Sequence, residues 1–253
     1  MPNPFRPLGP AGFSQISWIN FPGGGQVLER LLGLRINLRD VYSLASRDSI
    51  LGPLVQGFEG LKPPRSPTVF ESAVSAIACQ QTKLTHGIRL LNDLAESCGL
   101  AMAEDGIAHA FPRPEDLVAL GSKDPYKLQT IRSMGFKFHQ ADSIFELARS
   151  MVVRDLDLES ITTLTDEEAL ARLVALPGVN RWTAECVLLR GMGRLDVFPA
   201  DDVDARKSLQ RWLHLPKPVG HADVGHIRRP WKPYAGLIYF YLLLSAGVSK
   251  NSS

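Results

Sequence analysis

From Leu176 to Gly191 the chain reads LPGVNRWTAECVLLRG, and DVFPADD, Asp196 to Asp202, follows a few residues on. A Leu-Pro-Gly turn between two helical patterns makes a helix–hairpin–helix. Pro177 stops the first helix and Gly178 can take a positive φ. Asn180 suits either a left-handed turn or the N-cap of the second helix. The first free N–H groups of that helix, with the positive end of its dipole, form a site for an anion such as phosphate. The turn carbonyls of Val174, Leu176 and Val179 are placed to hold a monovalent cation that bridges to the phosphate. The acidic pair Asp201-Asp202 is the type of group that does acid–base chemistry. The plain alternatives are an αα-hairpin of the kind any bundle contains and an Asp that caps the helix beginning VDARKSLQRWL.

Positioning these groups falls to the flanking elements. The first ~20 residues, rich in Pro and Gly, read as a poorly ordered or strand-like leader. INFPGGGQ reads as a turn, and LGLRINL as a short strand. NLRDVYSLASRDSILGPLVQGF reads as two short helices broken at Gly52-Pro53, and KPPRSP as a linker. That linker divides the chain into a segment over 1–66 and a helical unit over 67–250. The unit opens at Ser66-Pro67, with Phe70, Ala73, Val74 and Ile77 on one face. A second helix runs from about Thr82 to Cys98, ended by Gly99. RPEDLVAL, DPYKLQTI and KFHQADSIFELARSMV follow as helices. TDEEALARLVAL opens with the capping-box pair Thr165 and Glu168 and places Leu170, Leu173, Val174 and Leu176 together. RWTAECVLLRG, DVDARKSLQRWL and WKPYAGLIYFYLLLSAG complete an all-α pattern.

The composition narrows the class. The chain has 253 residues, 45% hydrophobic and 21% charged, with a net charge of +2. Bulk charge therefore points to neither nucleic acid nor membrane. Three widely spaced cysteines, Cys79, Cys98 and Cys186, form no CxxC pair, which excludes a readable disulfide framework, zinc site or iron–sulfur site. A reducing compartment fits that usage. The N-terminus lacks a signal-peptide pattern. The longest apolar region, Tyr234 to Val248, is 15 residues with two glycines, short for a membrane span and suited to a core helix. His214, His221 and His226 read as loop surface.

The string LPGVNRWTAECVLLRGMGRLDVFPADD resembles the helix–hairpin–helix–Gly/Pro–Asp signature of base-excision DNA glycosylases, and is most similar to that of 3-methyladenine DNA glycosylase II. The resemblance extends to LKPPRSPTVFESAVSAIACQQT upstream and RRPWKPYAGLIYFYLLL downstream, about Leu32 to Ala246. It implies the glycosylase fold, two helical subdomains with a cleft. It also implies an enzyme that flips a nucleotide out of the duplex and cuts the base from its sugar. Bacterial members carry an N-terminal sheet domain. Too few residues precede Leu32 for a complete one, so 1–66 reads as a reduced form.

Carried onto this chain, the resemblance makes Asp202 the catalytic carboxylate, stabilising oxocarbenium character and orienting water, with Asp201 as cap or spacer. Bifunctional relatives have a lysine where this chain has Trp182. An indole cannot form a Schiff base but can stack on a cationic base, which implies a monofunctional enzyme. Trp182, Cys186 and Tyr239 line the expected base pocket. Cys186 stands where relatives often have an aromatic, and core packing is the plain alternative for Trp182 and for two of Tyr239, Phe240 and Tyr241. Gln81 falls at the place of the wedge that fills the flipped nucleotide's gap; a polar helix C-terminus is its alternative. Pro177, Gly178, Val179, Asn180, Arg181 and Thr183 form the DNA-binding hairpin. Arg181, Arg190, Arg194, Arg206, Lys207 and Arg211, with Arg228, Arg229 and Lys232, are the basic residues available to phosphates.

The expected substrate is double-stranded DNA with alkylated purines such as 3-methyladenine, and the product an abasic site. No redox or organic cofactor and no iron–sulfur cluster is required; Na or K at the hairpin is optional. The expected protein is a monomer without membrane attachment, cytoplasmic and nucleoid-associated in a prokaryote. Two other readings are a non-catalytic helix–hairpin–helix damage-binding protein and a glycosylase for deaminated or mismatched bases.

Overall fold

The computed structural model describes residues 24–102, 108–123 and 127–250. The expected leader lies outside the described residues, as do the start of the INFPGGGQ turn and Asp124 to Tyr126 of DPYKLQTI. Among the described residues there is no strand, only an isolated bridge between Ala101 and His109. The helices are α1 (Gly24–Leu31), α2 (Arg39–Ala45), α3 (Leu51–Gln56), α4 (Val69–Ala78), α5 (Leu84–Cys98), α6 (Pro114–Lys123) and α7 (Lys127–Ser133). They continue as α8 (Phe138–Val153), α9 (Asp166–Val174), α10 (Arg181–Cys186), α11 (Val203–Trp212), α12 (His221–Ile227) and α13 (Ala235–Lys250).

The N-terminal segment differs from its sequence pattern. Gly24 to Gln26, expected as turn, already belong to α1. LGLRINL is not a strand: Leu34 N–H donates to Glu29 O and Ile36 N–H to Gly33 O, so local turns consume the groups a ladder would need. Gly52-Pro53 does not break a helix either. Both lie in the first turn of α3, where proline's missing N–H costs nothing. The break falls at Ser46–Ile50, where Asp48 Oδ1 accepts from the Ile50 and Leu51 amides at 2.8 and 3.0 Å.

Two hydrophobic cores organise the helices. The first gathers α4 to α10. At its centre lies α4, where Val69, Phe70, Ala73, Val74, Ala76, Ile77 and Ala78 are all buried. A helix apolar on nearly every side must be enclosed. Its start is fixed by Thr68, whose Oγ1 accepts from Glu71 N at 3.0 Å, and by Glu159, which accepts from Val69 N at 2.7 Å. Pro67 therefore precedes the cap. The second core joins Leu38, Val41, Leu51 and Val55 of the N-terminal side to Phe198, Leu209, Leu237, Ile238 and Tyr241 of the C-terminal side. Packing thus unites helices on both sides of the expected boundary at residue 66.

One turn spans both cores. After Cys186 the α10 helix widens into a π-turn over Val187–Gly191, closed by Met192 N–H donating to Val187 O at 3.0 Å. Leu188 enters the first core and Leu189 the second. An inserted residue of this kind rotates the following side chains, and such bulges favour functional sites. Gly191 permits the close crossing with α4, since a Cβ there would lie 2.8 Å from Ser72 Cβ.

Candidate active site

The hairpin has the local chemistry its sequence requires. Thr165 and Glu168 form the capping box that starts α9, as expected. Leu173 is buried and Leu176 partly so, but Val174, expected on the same apolar face, is exposed. It lies at the last turn, where the chain leaves the core for the loop. Gly178 has φ +70°, and a Cβ on it would overlap Oγ and Cβ of Ser143 on α8. Asn180 is not left-handed: at φ −83° it is the N-cap of α10, its Oδ1 accepting from Thr183 N at 2.8 Å and from Thr183 Oγ1 at 2.9 Å. Val179 and Thr183 are buried, while Pro177, Gly178, Asn180 and Arg181 face outward.

Asp202 stands at the seam of the two cores and is itself the N-cap of α11. Its Oδ1 accepts from Ala205 N at 2.9 Å. Its Oδ2 accepts from Tyr239 Oη at 2.8 Å and from Trp182 Nε1 at 3.3 Å. The three side chains come from α10, α11 and α13, so the carboxylate is held from both cores. Asp201 does not cap the helix; its Oδ1 meets His221 Nδ1 at 2.7 Å. That pairing corrects the loop reading of two histidines. His221 and His226 lie on α12, while His214 sits in the turn after α11 with φ +52°.

The side chains bonded to Asp202 are aromatic, and one of them is out of solvent. Tyr239 is buried and packs edge-on against Phe198, ring centroids 5.2 Å apart. Burial, reinforced by the charge of Asp202, pushes both the Tyr239 hydroxyl and the Cys186 thiol well above their ordinary pKa values. Both stay protonated at physiological pH. Trp182 is partly exposed, leaving indole surface uncovered. Tyr241 turns the other way: it stacks on Phe58 and its hydroxyl donates to Leu61 O at 2.7 Å. Phe240 packs against the second core.

Gln81 follows the end of α4, exposed and left-handed at φ +51°. Its neighbour Gln80, not anticipated from the sequence, is buried. Gln80 Nε2 donates to Gly178 O at 2.8 Å and to Thr183 Oγ1 at 2.7 Å, tying the α4 terminus to the hairpin. Glu185 is a second unanticipated residue. It is buried, pairs with Arg181 at 3.0 Å, and burial raises its pKa.

Several basic residues expected on a phosphate surface brace the fold instead. Arg194 donates to the Thr162 and Leu164 carbonyls and pairs with Asp166. Arg190 donates to Pro64 O and Arg206 to Ala200 O. Arg228 and Lys232 both pair with Asp196. Lys207, Arg211 and Arg229 remain exposed. A cavity of about 330 Å³ lined by Gln26, Glu29, Arg30, Gly33, Arg35, Ile36 and Arg65 contains none of the site residues. Among the described residues no group of His, Cys, Asp and Glu is arranged to hold a metal, and no helix is long and apolar enough to cross a membrane.

The family model described as HhH-GPD superfamily base excision DNA repair protein matches residues 74–233. The chain is 25% identical over 207 residues to the DNA-3-methyladenine glycosylase of Bacillus subtilis, covering 81% of this chain and 66% of that protein. It is 28% identical over 214 residues to DNA-3-methyladenine glycosylase 2 of Escherichia coli, covering 85% and 70%. The solved 3-methyladenine DNA-glycosylase from Archaeoglobus fulgidus superimposes with a TM-score of 0.77 at 28% identity, covering 92% of this chain and 76% of that one. The chain spans between 40% and 66% of the length of the curated Bacillus subtilis and Mycobacterium tuberculosis relatives it matches.

Proposed function

Because the chain belongs to the HhH-GPD superfamily of base excision DNA repair proteins, we propose that it is a monofunctional DNA glycosylase that excises alkylated purines such as 3-methyladenine. The observation that carries this is the carboxylate of Asp202, held at the seam by Tyr239 and Trp182.

The duplex docks through the hairpin, where outward amides and the start of α10 meet a phosphate. The lesion nucleotide swings into the space beside Trp182. A purine nucleotide alkylated at a ring nitrogen, as in 3-methyladenine, is cationic, and the indole face favours it. As the bond between the base and C1′ lengthens, the sugar gains oxocarbenium character. Asp202 lies ready to stabilise that charge, and Oδ1 keeps an acceptor site beyond its helix cap to orient a water. Water adds its oxygen to C1′ as the base departs with the bonding electrons; the spare proton passes to solvent. Among the described residues the side chains hydrogen-bonded to Asp202 are Trp182 and Tyr239, and neither is an amine that could form a Schiff base. Strand cutting is therefore left to a separate nuclease.

The carbonyls of Val174, Leu176 and Val179 are hard oxygen donors that suit Na or K, and the Leu176 oxygen spends one lone pair on Val179 N–H. A cation there would strengthen phosphate binding only. A monomer acting on nucleoid DNA fits this reading.

The experiment is base release from a methylated duplex by wild type and Asp202→Asn, with strand cutting scored before and after alkali. Release by wild type alone, with cutting only after alkali, is the expected result. Cutting without alkali overturns the monofunctional assignment. No release, with DNA binding intact, favours a non-catalytic damage binder.

A further inference from the structure

Gly191, the last residue of the π-turn after α10, offers its carbonyl to two guanidiniums at once. Arg30 on α1 donates from Nη2 to Gly191 O at 2.8 Å and from Nη1 to Glu159 Oε2 at 3.3 Å. Arg65, in the segment before α4, donates from Nη2 to the same carbonyl at 3.0 Å. Gly193 makes room for the second guanidinium: a Cβ there would lie 2.7 Å from Arg65 Cζ.

The two cations are incompletely neutralised. Each guanidinium carries five N–H donors, yet among the described residues Arg30 forms two hydrogen bonds and Arg65 one. The Nε atom of each is out of solvent and, among the same residues, has no acceptor. Glu159 pairs with Arg30, but its other oxygen accepts from Val69 N at 2.7 Å. Burial first, and then the charge of Arg30, lowers the Arg65 pKa, and Glu159 offsets this only in part. Both arginines line the cavity of about 330 Å³ described above, where Glu29 is already paired with Arg35 at 2.6 Å.

This chemistry selects the ligand. A carboxylate is planar and carries one charge, which suits a single guanidinium fork. A phosphate monoester carries close to two charges near pH 7 and presents three acceptor oxygens, enough for two forks. The volume is at the small end of ligand pockets, with room for a phosphate and a short organic body. We propose that this cavity is a binding site for the phosphate group of a small free molecule, inorganic phosphate or a phosphomonoester, held by Arg30 and Arg65. The hairpin assigned above to the duplex lies at the opposite end of the α10 element, about ten residues or roughly 15 Å away. The cavity is therefore a second anion site. Its occupant ties α1 to the turn on which both cores meet. The proposal does not depend on the glycosylase reading.

The test titrates the full chain with inorganic phosphate at constant ionic strength, read by thermal melts and by the ³¹P line width. In wild type the melting temperature is expected to rise to saturation and the ³¹P line to broaden. Arg30→Gln is expected to weaken the fitted Kd about tenfold or more. The response to phosphate is what is read, so a lower starting stability of the variant does not matter. Glu29→Gln, on the exposed side of α1, removes a negative charge from the cavity wall and is expected to tighten binding. Opposite shifts in the two variants support the site. Equal rises in wild type and both variants, or no ³¹P broadening, would mean a bulk salt effect and overturn it. Binding to an undamaged duplex distinguishes the source of the phosphate. Arg30→Gln is expected to bind duplex like wild type while losing its phosphate response; a parallel loss of duplex affinity would assign the site to a DNA backbone phosphate and overturn the free ligand.

Discussion

The hydroxyl of Tyr239 donates to Oδ2 of Asp202 at 2.8 Å, across the seam between α13 and α11. Burial keeps that hydroxyl protonated, so it acts as a donor at every pH of biochemical interest. The carboxylate is thereby anchored on one oxygen and caps a helix with the other.

Asp202→Asn separates the two roles. Asparagine keeps the helix cap, but its amide nitrogen cannot accept from Trp182 and Tyr239 where Oδ2 does, so stability should fall by about 1 kcal/mol. Base release should fall by roughly a thousandfold, because a neutral amide stabilises no developing positive charge. Asp202→Ala should lose the same activity and about 2–3 kcal/mol of stability, because the cap goes together with the acceptor of Tyr239 and Trp182. Single-turnover kinetics and urea melts check both. Tyr239→Phe should lower the single-turnover rate about tenfold and stability by about 1–2 kcal/mol, with affinity for abasic DNA unchanged.

Gly178→Ala meets two obstacles, a positive φ and the side chain of Ser143. A loss of about 3 kcal/mol or more is expected from strain and overpacking together. Adding Ser143→Gly should recover the clash but not the backbone strain. Full recovery in thermal melts would show that φ matters little here.

Gln80 is the buried link between the end of α4 and the hairpin. Gln80→Ala leaves Gly178 O and Thr183 Oγ1 without that donor and should cost about 2–3 kcal/mol. Because it loosens the hairpin, it should also weaken binding to undamaged duplex. An unchanged melting temperature would show that water replaces the amide.

Glu185 links stability to pH. Burial raises its folded pKa above the unfolded value, so its favourable contribution is complete at low pH and is lost as pH rises through the folded value. Glu71 shifts in the same direction. In Glu185→Gln that loss is absent. The stability of the variant relative to wild type should therefore increase from pH 4 upward. A difference that shrinks with rising pH would mean that the Arg181 pair outweighs desolvation.

The hairpin was legible because Pro, Gly and Asn have few other uses in that order. The chemical pair was legible as a pair, but its division was not. Asp201 and Asp202 are both acceptable caps, and only the positions of His221, Trp182 and Tyr239 distinguish them. In α13 nearly every position is apolar, so no periodicity shows that Tyr239 faces the carboxylate and Tyr241 the core. Gln80 left a faint signal, since it continues the buried spacing of Ala73 and Ile77. PVGHADVGHI hid a helix because its glycines and histidines supply no apolar stripe. Arginines were misread as free surface for a different reason: their acceptors are backbone carbonyls, which carry no sequence identity.

The second core is discontinuous, and this shapes how the protein is made. The ribosome releases α2 and α3 early, with Val41, Leu51 and Val55 still lacking the partners they have on α11 and α13. The first core, assembled from an unbroken stretch, can close while synthesis continues. Until the last quarter of the chain emerges, the nascent polypeptide carries uncovered apolar surface, the condition that exposes a folding chain to aggregation.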